Sequence, residues 1–237
     1  MGSRTSLEWS SPCHGEDRGF KSPRARFINM NQVIEILKKT GAIIPNDHFV
    51  GVSGLHFDTY VNKDALLPHT KEVSAICQLF AQKYKESSID VVAAPALGGI
   101  ILSQWTAYYL SELTDRTVLG VYTEKTPENE QIFNRGYDKY VEGKRVLVLE
   151  DSTTTGQSVM KVVRAVQDAG GEVIEICVMV NRDPTRVNTT TLGIPFSSLA
   201  QLPIVSYEQK DCPLCKNGVP INTIFGHGKR FLQQQRV

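Results

Sequence analysis

The segment that most constrains the fold is Val146-Leu147-Val148-Leu149-Glu150-Asp151-Ser152-Thr153-Thr154-Thr155-Gly156-Gln157-Ser158. Four consecutive apolar residues without polar alternation predict a strand covered on both faces, as in a parallel sheet flanked by helices. The run stops abruptly at two adjacent carboxylates. A hydroxyl-rich turn with one glycine follows, then helical apolar spacing over Val159 to Ala169, closed by Gly170-Gly171. A second strand, Val173 to Val180, comes next.

The same alternation extends across the chain. Val33, Ile34, Ile36 and Leu37 have helical spacing before Gly41, and Val73, Ile76, Cys77, Phe80 and Tyr84 share one helical face after Pro68. Ile89 to Ala94 is a nearly continuous apolar run. A helix through Trp105 to Leu113 and a strand over Thr117 to Tyr122 follow it. His48 to Val52 and Thr59 to Lys63 read as extended. The fold class is α/β, a doubly wound parallel sheet with helices on both faces, whose ligands bind beyond the carboxyl ends of the strands. Thr123 to Gly143 is polar, weakly patterned and long for a connection, as functional lids are.

Composition narrows the classes. The chain has 237 residues, with 26 Lys and Arg against 25 Asp and Glu. That balance disfavours general binding to nucleic acid or a polybasic docking to membranes. The most apolar stretch, Ile89 to Leu102, is short and broken by Pro95 and Gly98-Gly99, so no membrane span is expected. Five scattered cysteines and an N-terminus lacking a signal-peptide core point to a reducing cytoplasm. Residues 1–28 lack apolar periodicity and read as a disordered extension, either a short basic arm or a solvated tail. Residues 29–208 form the domain, and 209–237 a C-terminal tail.

The turn after Leu149 carries the chemistry. Backbone N–H groups at a helix start, with several hydroxyls, make a ready phosphate cradle, and Gly156 permits close backbone approach. No Walker A loop and no dinucleotide fingerprint occurs. Two carboxylates repel phosphate but suit sugar hydroxyls or a metal, so a phosphorylated sugar fits the combination. A plain helix N-cap with acidic residues on the helix dipole accounts for the same residues without a ligand.

The pattern resembles the signature of the type I phosphoribosyltransferases. The resemblance implies that Glu150 and Asp151 bind ribose and that Ser152, Thr153, Thr154, Thr155, Gly156, Gln157 and Ser158 hold the 5-phosphate of phosphoribosyl diphosphate. Further motifs are similar to the orotate branch of that family. Ser53-Gly54-Leu55-His56, with Tyr60 and Lys63, looks like its small N-terminal hood, and Ala96-Leu97-Gly98-Gly99 like its diphosphate loop. Arg182 stands where the branch meets the orotate carboxylate, with Tyr60 and Lys63 also toward the base. Asn181 replaces the usual Asp before it. The usual mobile-loop motif is altered here. Lys125 and Arg135 are its candidates for diphosphate contact, with an ordinary solvated lid as the other reading. Asp151, Lys125 and Arg135 are thus the catalytic candidates. The resemblance also implies Mg²⁺, a homodimer whose lid reaches across to the partner, and synthesis of orotidine 5′-monophosphate. Transfer to a purine, or sensing of the donor without turnover, are the rival readings.

Cys212-x-x-Cys215 is half of a zinc site, to be completed by His227 or by a partner subunit, or else a turn of reduced thiols. Cys77 and Cys177 fall in apolar periods, and Cys13 lies in the extension. His56 is open to a role at the base, at the leaving group, or in structure alone. Trp105, Tyr108 and Tyr109 read as helix packing or a subunit interface.

Overall fold

The computed structural model describes residues 30–235. The N-terminal extension and Cys13 lie outside them. The elements are α1 (Met30–Lys39), β1 (Ile43–Ile44), β2 (Phe49–Val50), β3 (His56–Phe57), β4 (Tyr60–Val61), α2 (Lys63–Leu66) and α3 (Thr70–Tyr84). The central part follows as β5 (Val91–Pro95), α4 (Gly98–Thr114), β6 (Leu119–Lys125), β7 (Gln131–Ile132), β8 (Arg145–Thr153), α5 (Gln157–Asp168) and β9 (Glu172–Asn181). The chain closes with α6 (Thr189–Leu192), β10 (Phe196–Gln201), α7 (Pro213–Lys216) and α8 (Gly228–Gln234).

Six strands form one sheet in the order β10-β9-β8-β5-β6-β7, all parallel except β7, which runs antiparallel to β6. This is the doubly wound sheet expected from the sequence. Period-2 alternation divides its residues between two cores. Leu147, Leu149, Cys177 and Met179 pack with α1, α3 and α4 on one face. Val146, Val148, Ile176 and Val178 pack with Val159, Val162, Val163 and Val166 of α5 on the other. All four residues Val146 to Leu149 are fully buried. Covering each such side chain is worth about 1.5–3 kcal/mol relative to leaving it in water.

The predicted helices stand close to their expected places. Val73, Ile76, Cys77, Phe80 and Tyr84 are all buried faces of α3. Gly41 ends α1 at φ +69°, a conformation that favours glycine. The polar connection differs from expectation at its start. β6 runs on to Lys125 and folds back as β7, pairing Glu124 with Ile132 and Lys125 with Gln131.

A hood precedes the sheet. β1 pairs with β4 and β2 with β3, both antiparallel, around a small core of Phe49, Phe57, Val61 and Ile204. The C-terminal tail lies on this hood. Tyr207 exchanges both backbone hydrogen bonds with His56, and the amides of Asn222 and His227 donate to the carbonyls of His48 and Val50.

Candidate active site

β5 and β8 are neighbours, yet their connections leave in opposite directions, through α4 to β6 and through α5 to β9. The crevice between their carboxyl ends is therefore a topological switch point, where open α/β sheets bind ligands.

The loop after β5 carries Ala96, Leu97, Gly98 and Gly99. The Ala96 amide donates to Thr123 O at 2.8 Å, and the Ala96–Leu97 peptide is cis. A Cβ on Gly99 would stand 2.8 Å from Ala94 Cβ, and one on Gly98 would stand 3.1 Å from Asp151 Oδ2. The glycines thus let α4 start hard against β5 and let the two loops meet. The N-cap residue of α4, Leu97, makes no side-chain cap to the amides at its start.

The loop after β8 turns at Gly156, whose φ is +74° and where a Cβ would stand 2.8 Å from Leu192 Cδ2. Its amide donates to Thr153 Oγ1 at 3.0 Å, which tightens the turn. α5 then opens with no capping side chain and no acidic residue in its first turn. Such a helix start presents free amides and the positive end of the dipole to an anion.

The two carboxylates have different surroundings. Glu150 is only 6% exposed, and its Oε2 has no hydrogen-bond partner among the described residues. Burial, reinforced by the neighbouring Asp151 charge, pushes its pKa up to about 8 against weaker opposition from Ser158 and Lys63. Asp151 is instead paired with Lys63 Nζ at 2.9 Å. Burial pulls the Lys63 ammonium down, but the Asp151, Asp64 and Glu150 carboxylates together outweigh it and the net shift is upward. Lys63 therefore sits beside Gly98 and Asp151, reaching the carboxylate pair.

A cleft of about 460 Å³ opens over these loops. Its floor is Glu150, Ser152 to Thr155, Gln157 and Ser158; its hood wall includes Ser53, Leu55, Phe57 and Tyr60; Lys125 and Gln131 line the hairpin side. Arg182 enters from the end of β9. Its amide donates to Thr153 O at 2.8 Å, and its guanidinium carbon lies 5.1 Å from the Phe57 ring centre. Its Nε is buried without a partner among the described residues, and burial lowers its pKa against the pull of Tyr60 and Asp151. Asn181 holds the turn beneath it. Its side-chain amide donates to Val187 O at 2.9 Å and its Oδ1 accepts from the Asp183 amide at 3.1 Å. An aspartate carboxylate has no donor for the first of these bonds.

The structure brings Glu150, Ser152, Thr153, Thr154, Thr155, Gln157, Ser158, Tyr60, Lys125 and Arg182 to one cleft. Asp151, Lys63 and the Ala96 to Gly99 loop stand at its edge, linked by the ion pair and the close approach at Gly98. Arg135 is not brought in. It is 58% exposed and engaged by Glu124 at 3.0 Å. His56 is fully buried and faces His48, with Nδ1 2.8 Å from His48 Nε2. Cys212 and Cys215 group with those two histidines, whereas His227 lines the cleft.

Sequence reasoning missed several cleft residues: Phe57, Lys161, Gln131, Ser206 and His227. Lys161 had a readable signal, since it lies one helical turn after Gln157 on the same face as the cradle. Its ammonium donates to Asn129 O, fastening the hairpin turn to α5. Ser206 and His227 carried none, because only the fold of the tail brings them there. Among the described residues, no helix is long and apolar enough to cross a membrane.

Comparison with known proteins agrees with this geometry. Residues 62–191 match the model of the phosphoribosyl transferase domain family. The chain is similar to orotate phosphoribosyltransferase of Caldanaerobacter subterraneus subsp. tengcongensis, 36% identical over 82% of this chain and 96% of that one. Its fold is similar to the crystal structure of orotate phosphoribosyltransferase from Aeropyrum pernix, with a TM-score of 0.56 and 24% identity over 72% of this chain and 94% of that one. It is also similar to the Mycobacterium tuberculosis orotate phosphoribosyltransferase in complex with 5-phospho-α-D-ribosyl 1-diphosphate. There the TM-score is 0.52, at 20% identity over 76% of this chain and 92% of that one. The switch-point cleft thus lies in a chain that belongs to the orotate phosphoribosyltransferase family.

Proposed function

We propose that this cleft transfers the 5-phosphoribosyl group from phosphoribosyl diphosphate to orotate, releasing orotidine 5′-monophosphate and diphosphate. The observation that carries the reading is Arg182. Its guanidinium, whose Nε is buried without a hydrogen-bond partner among the described residues, lies at the same cleft as the hydroxyl-rich turn and a buried carboxylate. The 5-phosphate sits on the first-turn amides of α5 and the Thr154 and Thr155 hydroxyls. The ribose hydroxyls donate to Glu150 and Asp151. The base carboxylate meets Arg182, with Tyr60 and Phe57 walling the ring.

Attack by the base nitrogen on C1′ breaks the C1′–O bond, and the electron pair leaves with diphosphate. Positive charge developing on the ribosyl ring is met by Glu150 and Asp151. Negative charge on the leaving group is met by the α4 amides and by Lys125. Lys63, paired with Asp151 at 2.9 Å, holds that carboxylate in place. The β6–β7 hairpin, fastened by Lys161, keeps water from the reacting centre.

Mg²⁺ fits this donor set, because a buried, unpartnered carboxylate oxygen at Glu150 accepts either a sugar hydroxyl or a metal-bound water. When bound, the ion neutralises charge on the diphosphate oxygens. Arg135, tied to Glu124, serves the hairpin unless that pair opens on binding. The exposed Trp105 and Tyr108 on α4, Trp105 stacked on Tyr109 and Tyr108 edge-on to both, support a homodimer through this face. The buried, unbridged thiols of Cys77 and Cys177 support a reducing, cytoplasmic setting.

The deciding experiment incubates pure protein with Mg²⁺, donor and a panel of bases. Loss of orotate, with Arg182→Ala cutting kcat/KM for orotate by about 10- to 100-fold, is the expected result. Turnover of a purine but not orotate would move the assignment to a purine enzyme. Donor binding without turnover of any base would leave only a sensor.

A further inference from the structure

His48, His56, Cys212 and Cys215 come from two distant parts of the chain, yet one ligand atom from each lies within 4.8 Å of the others. His48 directly precedes β2, His56 starts β3, Cys212 is the N-cap of the one-turn helix α7 and Cys215 lies within it. His48, His56 and Cys212 are at most 1% exposed. We propose that these four side chains bind a structural zinc ion that clamps the C-terminal tail to the hood.

Two thiolates and two imidazoles are a recurrent ligand set for tetrahedral zinc. The spacings suit one ion. Cys212 Sγ and Cys215 Sγ each lie 3.7 Å from His48 Nε2, and Cys215 Sγ lies 3.4 Å from His56 Nδ1. Sulfur and nitrogen on a tetrahedral zinc stand about 3.6 Å apart, from Zn–S and Zn–N bonds near 2.3 and 2.05 Å. The His48 Nε2 to His56 Nδ1 distance is 2.8 Å, so these nitrogens must part by roughly half an ångström to admit the ion.

The surroundings favour a metal over a plain hydrogen bond. His48 Nδ1 donates to Val219 O at 2.7 Å, which fixes the tautomer and turns the Nε2 lone pair toward the group. A backbone carbonyl on the far nitrogen is the usual support of a metal-bound imidazole. Without an ion, His56 Nδ1 has to carry the proton of the 2.8 Å bond, and its Nε2 lone pair is then buried without a partner among the described residues. With an ion, Nδ1 is the ligand and Nε2 carries the proton, beside the Phe231 ring.

The ion has a consequence for the cleft, whichever base is used. The hood loop of Gly51, Val52, Ser53 and Leu55 lies between the two histidine ligands, and Gly226 and His227 follow the cysteine ligands. All of these line the cleft. The metal therefore ties together two walls that the sheet alone does not connect.

The test begins with elemental analysis of the full chain, expressed with zinc in the medium and purified under reducing conditions. One zinc per chain is expected. Exchange with Co²⁺ is expected to give the visible bands of a four-coordinate metal and a thiolate-to-metal charge-transfer band. Cys215→Ser and His48→Ala lose the metal, while His227→Ala retains it. If those variants are insoluble, the stoichiometry and the cobalt spectrum of the unaltered protein decide alone. Chelation is expected to lower the unfolding midpoint by roughly 10 °C, restored by zinc but not by magnesium. It also raises KM more than it lowers kcat. Substoichiometric zinc with no four-coordinate cobalt spectrum, a Cys212–Cys215 disulfide in the reduced preparation, or full metal retention after Cys212→Ser with Cys215→Ser overturns the proposal.

Discussion

Glu150 shows how much depends on where a single carboxylate sits. Its pKa of about 8 means that the free protein at pH 7 holds it mostly protonated. A ribose hydroxyl donates best to the ionised form, so a donor seated as proposed would expel the proton. Donor affinity should therefore rise with pH from 6 to 8 and then level, and calorimetry in buffers of different ionisation enthalpy should register proton release. Glu150→Gln removes both effects; a proton count unchanged in that variant would rule this carboxylate out. The same shift fixes a sign for stability. The raised value favours folding below the ordinary carboxylate range, and that contribution is lost as pH rises through about 8. Lys125 is the second residue-scale test. Removing one preorganised charge at a leaving group costs about 100- to 1000-fold in rate, so Lys125→Ala should lower kcat by that much with the unfolding midpoint unchanged. Near-normal kcat would remove it from the mechanism.

At the scale of elements, the site is a meeting of two loops after two adjacent parallel strands. Gly98 is where the two loops meet, and Gly99 is where α4 starts hard against β5. A methyl on Gly99 would stand 2.8 Å from Ala94 Cβ and 3.2 Å from the Ala94 carbonyl carbon, and backbone cannot step aside as a side chain can. Gly99→Ala should destabilise by about 1–3 kcal/mol by overpacking. It should also slow turnover by displacing the amides at the start of α4. Thermal unfolding and steady-state kinetics on one preparation check both. The β6–β7 hairpin shows where local reading weakens. Tyr122 to Lys125 has no strong period, and the strand extends there because β7 supplies a partner for Glu124 and Lys125.

Over the whole molecule, the tail completes the cleft. Asn222 Nδ2 donates to Asp47 Oδ2 at 2.6 Å, and its Oδ1 accepts from the amides of Ile224 and Phe225. Asn222→Ala should loosen the tail that carries Gly226 and His227. KM should rise several-fold while kcat changes little, since no reacting group is touched. Equal losses in both constants would mean that the tail acts on the chemistry itself.

By itself, the sequence determined the sheet, the helices on its two faces and the hydroxyl-rich turn after β8. Those features rest on local signals: an unbroken apolar run, a 3.6-residue period, and a glycine where φ must be positive. Chain order also placed Arg182 after β9 and the diglycine loop after β5. Only the tertiary structure decided which side chains share a space. It brought His48 and His56 to Cys212 and Cys215 across more than half the chain, turned Arg135 onto Glu124, and buried Glu150 deeply enough to move its proton. Such pairings depend on packing between distant segments and on the exclusion of water, neither of which leaves a periodic trace in the chain.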